Sequence, residues 1–167
     1  MERVAEALTI QAISVKDERD ANLFGRSAFN RYYYSVYLST RQMVRIGHPE
    51  IKQFKHKELP DLLIGKVQER IQQEASKLKK RNILSDGQAS QLVQSARQAL
   101  SELANILREG YHIRVIADYE PTVIATVSNG HVILESKTSD AARQWGLRAQ
   151  RCIGQIHRVW RQLGIST

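Results

Sequence analysis

Residues 27–42 read SAFNRYYYSVYLSTRQ, with Tyr32, Tyr33 and Tyr34 in succession and Tyr37 one turn further on. The stretch lies in a helix expected over residues 20–46, stopped by Gly47 with Pro49 just beyond. At 100° per residue its side chains sort into two faces. Phe29, Tyr32, Tyr33, Val36, Thr40 and Met43 share a wide apolar arc, the expected core side, where each buried phenol needs a partner or a route to water. Arg26, Asn30, Tyr34, Tyr37, Arg41 and Arg45 fall within about 60° of Asn30 and form a second stripe. There aromatic faces alternate with guanidinium groups and an amide. Such a stripe suits stacking on bases and gripping phosphates, it suits a homodimer seam equally well, and an ordinary solvated face is the plain alternative.

Outward from this helix the pattern stays helical. A short helix is expected over 2–13 and another over 59–80, with Pro60 in its first turn and Leu63, Val67, Ile71, Ala75 and Leu78 as its apolar stripe. Ser85 and Gln88 have capping-box spacing and open a long periodic segment through Leu92, Ala96, Leu103 and Leu107 to about residue 117. Pro121 breaks it. TVIATV and HVILE then flank Asn129-Gly130, the signature of a type I′ hairpin, placed here as an insertion over 121–137. A last helix over 139–163 carries Ala142, Trp145, Ala149, Cys152, Ile156, Trp160 and Leu163 on one face. Fold class is therefore all-α: an antiparallel bundle of four to five helices in one domain over 1–167, with a small β-hairpin before the last helix.

The chain has 167 residues, of which 42% are hydrophobic, enough to bury a core without disulfides or metals. Its single cysteine, Cys152, excludes an intramolecular disulfide framework and points to a reducing compartment. No apolar run approaches membrane-span length and the start, MERVAEALTIQ, lacks a signal-peptide block, so a cytoplasmic protein without membrane contact is expected. The formal net charge of +8 favours a polyanionic or acidic partner, nucleic acid first. On the last helix Arg143, Arg151, Arg158 and Arg161 spread over one broad basic side, either solvated or phosphate-binding. No phosphate-cradling glycine loop, paired-histidine metal spacing or Ser or Cys nucleophile signature is present, so neither metal nor cofactor is expected.

Three motifs resemble those of the HEPN-domain family (higher eukaryotes and prokaryotes nucleotide-binding). Arg31, Tyr33, Tyr34 and Tyr37 are similar to its R-x-Y-Y-x-x-aromatic signature, FKHKELPDLL with His56 to its H-x-x-L step, and YHIRVIADYEP to its Y-x-x-R-x-x-A-D-Y helix ending. The resemblance spans roughly residues 22–160. It implies a helical bundle, often a homodimer, acting on or with RNA in prokaryotic toxin–antitoxin or antiviral defence systems. Family members are metal-independent endoribonucleases, among them toxins paired with an antitoxin, or non-catalytic partners of nucleotidyltransferases.

The family's ribonucleases use an R-x4-6-H motif, in which histidine moves protons and arginine stabilises phosphate charge. The position that corresponds best is Arg114, but Tyr119 stands where the histidine would, and a tyrosine, titrating near 10, is a poorer base at neutral pH than a histidine near 6.5. His112, one turn after Arg108, is the nearest imidazole. Arg114, Tyr119 and His112 are thus the candidate catalytic residues, and Arg26, Asn30, Tyr34, Tyr37 and Arg41 the candidate RNA-binding or dimer groove. Asp118, four residues after Arg114, is placed for an ion pair with it.

Overall fold

A computed structural model describes residues 1–165. The chain is mostly helical: α1 (Glu2–Ser14), α2 (Glu18–Gly47), α3 (residues 59–80), α4 (Asp86–Tyr119) and α5 (Ser139–Leu163), with strands β1 (Thr126–Ser128), β2 (His131–Leu134) and β3 (Lys137–Thr138) before the last helix. It divides into two compact units, 1–38 with 107–148 and 39–106 with 149 onward. The long helices α2, α4 and α5 each contribute one part to either unit.

The first unit holds α1, the start of α2, the end of α4, the three strands and the start of α5, with α1 in contact with β2. Tyr32, Tyr33 and Phe29 of α2 are buried with Ile113 of α4 and Trp145 of α5. Two glycines make this packing possible. A Cβ on Gly25 would lie 2.7 Å from Val132 of β2, and one on Gly110 would lie 3.0 Å from the Tyr33 ring. The sheet has order β1-β2-β3 and both pairings are antiparallel, with Val127 opposite Val132 and Ile133 opposite Thr138. Asn129 at φ 51° and Gly130 at φ 75° form the turn between β1 and β2, both in the left-handed region that a type I′ turn requires. The third strand is an addition to the expected hairpin. Its two residues continue directly into α5, where the Thr138 hydroxyl accepts a hydrogen bond from the Ala141 N–H in the first turn.

In the second unit α3 interrupts its α-helical path with a π-helical turn at Leu63–Val67, between Leu59–Leu62 and Gln68–Lys80. Leu59, Leu63, Val67, Ile71 and Ala75 are all buried. These residues follow one another in steps of four, and each such step overshoots an α-helical turn by about 40°. A turn that takes in more residues offsets this drift and brings the stripe back towards one face. The helix ends in a Schellman motif: Ile83 N–H donates to Leu78 O at 2.9 Å, Asn82 N–H to Lys79 O at 2.9 Å, and Asn82 takes φ 55°. The capping box that opens α4 is formed in both directions, Ser85 N–H to Gln88 Oε1 at 2.9 Å and Gln88 N–H to Ser85 Oγ at 3.2 Å.

Gly47 has a different role from the one its position suggests. It is the last residue of α2 and does not take the left-handed conformation of a helix-ending glycine. A Cβ there would stand 2.2 Å from the Trp160 ring, so the glycine is required by the indole lying on the helix. Gly47→Ala should therefore destabilise the protein by about 1–3 kcal/mol through overpacking, although alanine is the better helix former. Urea denaturation monitored by circular dichroism measures this; an unchanged or raised midpoint would contradict the packing role.

Candidate functional site

The end of α4 must satisfy carbonyl groups that have no partner within the helix. Arg26, from α2, supplies donors: its Nε to Ala117 O at 2.9 Å and its Nη1 to Val123 O, and further its Nη2 to Ile116 O at 3.0 Å and its Nη1 to Glu120 O, two carbonyls that also accept the Glu120 and Val123 N–H groups. One guanidinium thus closes the helix and holds the turn that follows it. Nearby, Asn22 accepts the Ala125 N–H through Oδ1 at 2.8 Å, so successive turns of α2 fix the path from helix to sheet.

On this clamped end sits a polar cluster. Arg114 Nη2 lies 2.7 Å from Asp118 Oδ2, the ion pair that the four-residue spacing suggests, and the Asn30 amide donates to the other carboxylate oxygen. Arg114 Nη2 also donates to the Tyr119 hydroxyl at 3.4 Å, and the guanidinium carbon is 5.1 Å from the Tyr119 ring centroid. Burial by itself would lower the pKa of Arg114. The hydrogen bond with Tyr119 and the charge of Asp118 outweigh it and raise the value, so Arg114 stays a cation. Tyr119 is 64% exposed and offers ring surface to solvent. Arg114 Nε and Asn30 Oδ1 are buried and have no hydrogen-bond partner.

The tyrosines of α2 divide by depth. Tyr32 and Tyr33 are buried, the core position expected for them, and burial raises the pKa of both, most strongly for Tyr33. The Tyr32 hydroxyl is 3.4 Å from Thr9 Oγ1 of α1. Tyr34 is half-buried with its ring edge-on to Tyr33 at 5.7 Å. Tyr37 is only 4% exposed and stacks on Tyr33 at 6.1 Å. The buried arc of the helix is therefore wider than the core face read from the sequence. It takes in Tyr37, which stands only about 40° from Tyr33 on the helical wheel.

The remaining candidates lie apart from the cluster. His112 is exposed and pairs with Glu135 beyond β2 at 3.6 Å, about 160° round α4 from Arg114. Arg143 pairs with Glu6 of α1 at 3.0 Å. Arg41, half-buried, belongs to the second unit, as do Arg151, Arg158 and Arg161, all three exposed. The structure thus joins Asn30, Arg114, Asp118 and Tyr119, with Arg26 holding the backbone beneath them. Sequence spacing signals the pair within α4, whereas contacts from α2 span some 90 residues and leave no local trace.

A second polar group lies in the second unit around Trp160, whose ring is 5.6 Å from His157 and 6.5 Å from His48. His48 Nδ1 is 2.9 Å from Glu50 Oε1, while His48 Nε2, His157 Nε2 and Trp160 Nε1 are buried without a hydrogen-bond partner. Among the described residues no group of three or more His, Cys, Asp or Glu side chains is placed to hold a metal ion. Among the described residues no helix is long and apolar enough to cross a membrane. No family model matches the chain, and comparison with curated proteins and with solved structures finds no match.

Two expected outcomes test these assignments. Arg26→Ala leaves Ala117 O and Val123 O without donors and should cost about 2–3 kcal/mol, read as a lowered denaturation midpoint. Full stability in that variant would refute the clamp. Burial, aided by Arg161, lowers the pKa of His157 below the ordinary 6.5, so the folded protein favours the neutral ring. The resulting stability is present above pH 6.5 and is lost as the pH falls through the folded value, because the unfolded chain binds the proton first. Thermal midpoints from about pH 7 to about pH 5 should drop less in His157→Gln than in the unaltered protein. Parallel curves would exclude His157 as a contributor.

Proposed function

We propose that this chain binds RNA as a HEPN-like module of a prokaryotic toxin–antitoxin or defence system, and that Arg114 with Tyr119 forms the contact. The observation that carries the proposal is the pairing of a positioned guanidinium with an exposed phenol ring at 5.1 Å, held on a helix end that α2 clamps. An arginine beside an aromatic ring can accept a phosphate and a stacked base together. The net charge of +8 supports a polyanionic ligand, and the resemblance through Arg31, Tyr33, Tyr34 and Tyr37 supports RNA as its identity. A homodimer, an antitoxin or a nucleotidyltransferase partner follows from the same resemblance.

Binding is favoured over cleavage. A general base must reach the proton it removes, and His112, the nearest imidazole in sequence, is engaged with Glu135 on another face of α4. Labelled single-stranded RNA in EDTA should therefore be bound intact, with affinity falling as salt rises. Tyr119→Ala should lose about 1–3 kcal/mol of binding, the stacking contribution of one base, and Arg114→Gln at least about tenfold in affinity, while His112→Ala leaves both unchanged. Binding insensitive to Arg114 and Tyr119 would move the contact elsewhere. RNA cleavage abolished by Arg114→Gln would establish the metal-independent endoribonuclease instead.

A further inference from the structure

The sheet of the first unit has an open edge at β1. Hydrogen-bonded and non-hydrogen-bonded pairs alternate along an antiparallel hairpin. Ser128 and His131 close the two-residue turn as a bonded pair, so Val127, opposite Val132, directs its N–H and C=O away from β2. The neighbours agree with this parity. Val132 N–H donates away from β1 to Ser139 Oγ at 3.3 Å, and Ala125 N–H, pointing the same way as that of Val127, donates to Asn22 Oδ1 at 2.8 Å. Asn22 thus closes the edge at one rung. Among the described residues none does so for Val127.

Beside this edge lies a hollow of about 460 Å³ with Ile13, Val15, Ile124 and Val127 in its wall. Ile13, Ile124 and Val127 are 38%, 59% and 40% exposed, an apolar surface where a fourth strand would place its side chains. The hollow's charged residues are Lys16 and Glu18, both exposed, whose charges cancel.

We propose that this edge receives a second copy of the chain, β1 against β1 in antiparallel register centred on Val127, joining two three-stranded sheets into one of six strands. The open donor and acceptor belong to one residue, so a two-fold axis midway between the two copies of Val127 lets each copy satisfy the other. A longer strand from another protein would find the next rung already taken by Asn22, and so gains nothing over this pairing. The two-fold also brings the hollows of both copies to one seam, where Ile13 and Ile124 are covered from both sides. For a chain of net charge +8, most faces repel a copy; a wall in which Lys16 balances Glu18 does not. The surface is separate from the Arg114–Tyr119 contact, and the inference does not depend on RNA binding.

Sedimentation velocity of the full chain at concentrations up to on the order of 100 μM should show a reversible dimer, as a small interface of micromolar affinity requires. Val127→Lys sets two ammonium groups against each other across the axis and should weaken the dimer at least about tenfold, with the circular dichroism spectrum unchanged. Val127→Cys should be joined to its counterpart in the second copy by a short thiol-to-thiol crosslinker, because opposite side chains of a bonded antiparallel pair stand about 5.5 Å apart, within its span. The unaltered protein, whose Cys152 is buried, should not. A monomer at all concentrations, a dimer that survives Val127→Lys, or a Val127→Cys that the crosslinker leaves unjoined would each overturn the proposal; the crosslinking result stands even if the lysine variant misfolds.

Discussion

Carbonyl groups at the end of a helix must find donors, and at the end of α4 Arg26 supplies the one to Ala117 O and a second one to Ile116 O, beside the Glu120 N–H. The consequences run in both directions along the chain. Upstream, the clamp holds the last turn of α4, so that Arg114, Asp118 and Tyr119 keep their mutual geometry. Downstream, the bonds to Glu120 and Val123 set where the chain leaves the helix, and Asn22 then receives Ala125 at the start of the sheet. A lysine could not replace this arginine, since a single ammonium cannot reach four carbonyls spread over eight residues.

The polar cluster above the clamp is balanced between structure and availability. Asp118 neutralises Arg114 on one side and takes the Asn30 amide on the other, which ties the two helices together. Yet Tyr119 remains largely exposed against the same guanidinium. In the same unit Tyr33, Tyr34, Tyr37 and Tyr111 form edge-on and stacked pairs at 5.7 to 6.3 Å.

The five helices, the type I′ turn and the capping box at Ser85 were legible in the sequence, because each depends on residues within a few positions of one another. The Arg114–Asp118 pair was legible for the same reason. Two features carried a local signal that standard periods did not decode. The steps of four from Leu59 to Ala75 call for a π-turn, and Thr138 caps a helix that begins directly from a strand.

What the amino-acid order determined by itself was therefore helix, turn and cap, together with the surplus of positive charge. Packing decided the rest. Tyr37, at the border of two faces, was drawn inward because the core arc of α2 widened to include it. Gly47 has a Trp160 ring against it rather than a left-handed backbone, and Arg26, one of several stripe arginines by spacing, became the helix clamp. Each of these roles is set by atoms many residues away in sequence, and only the folded chain brings those atoms within reach.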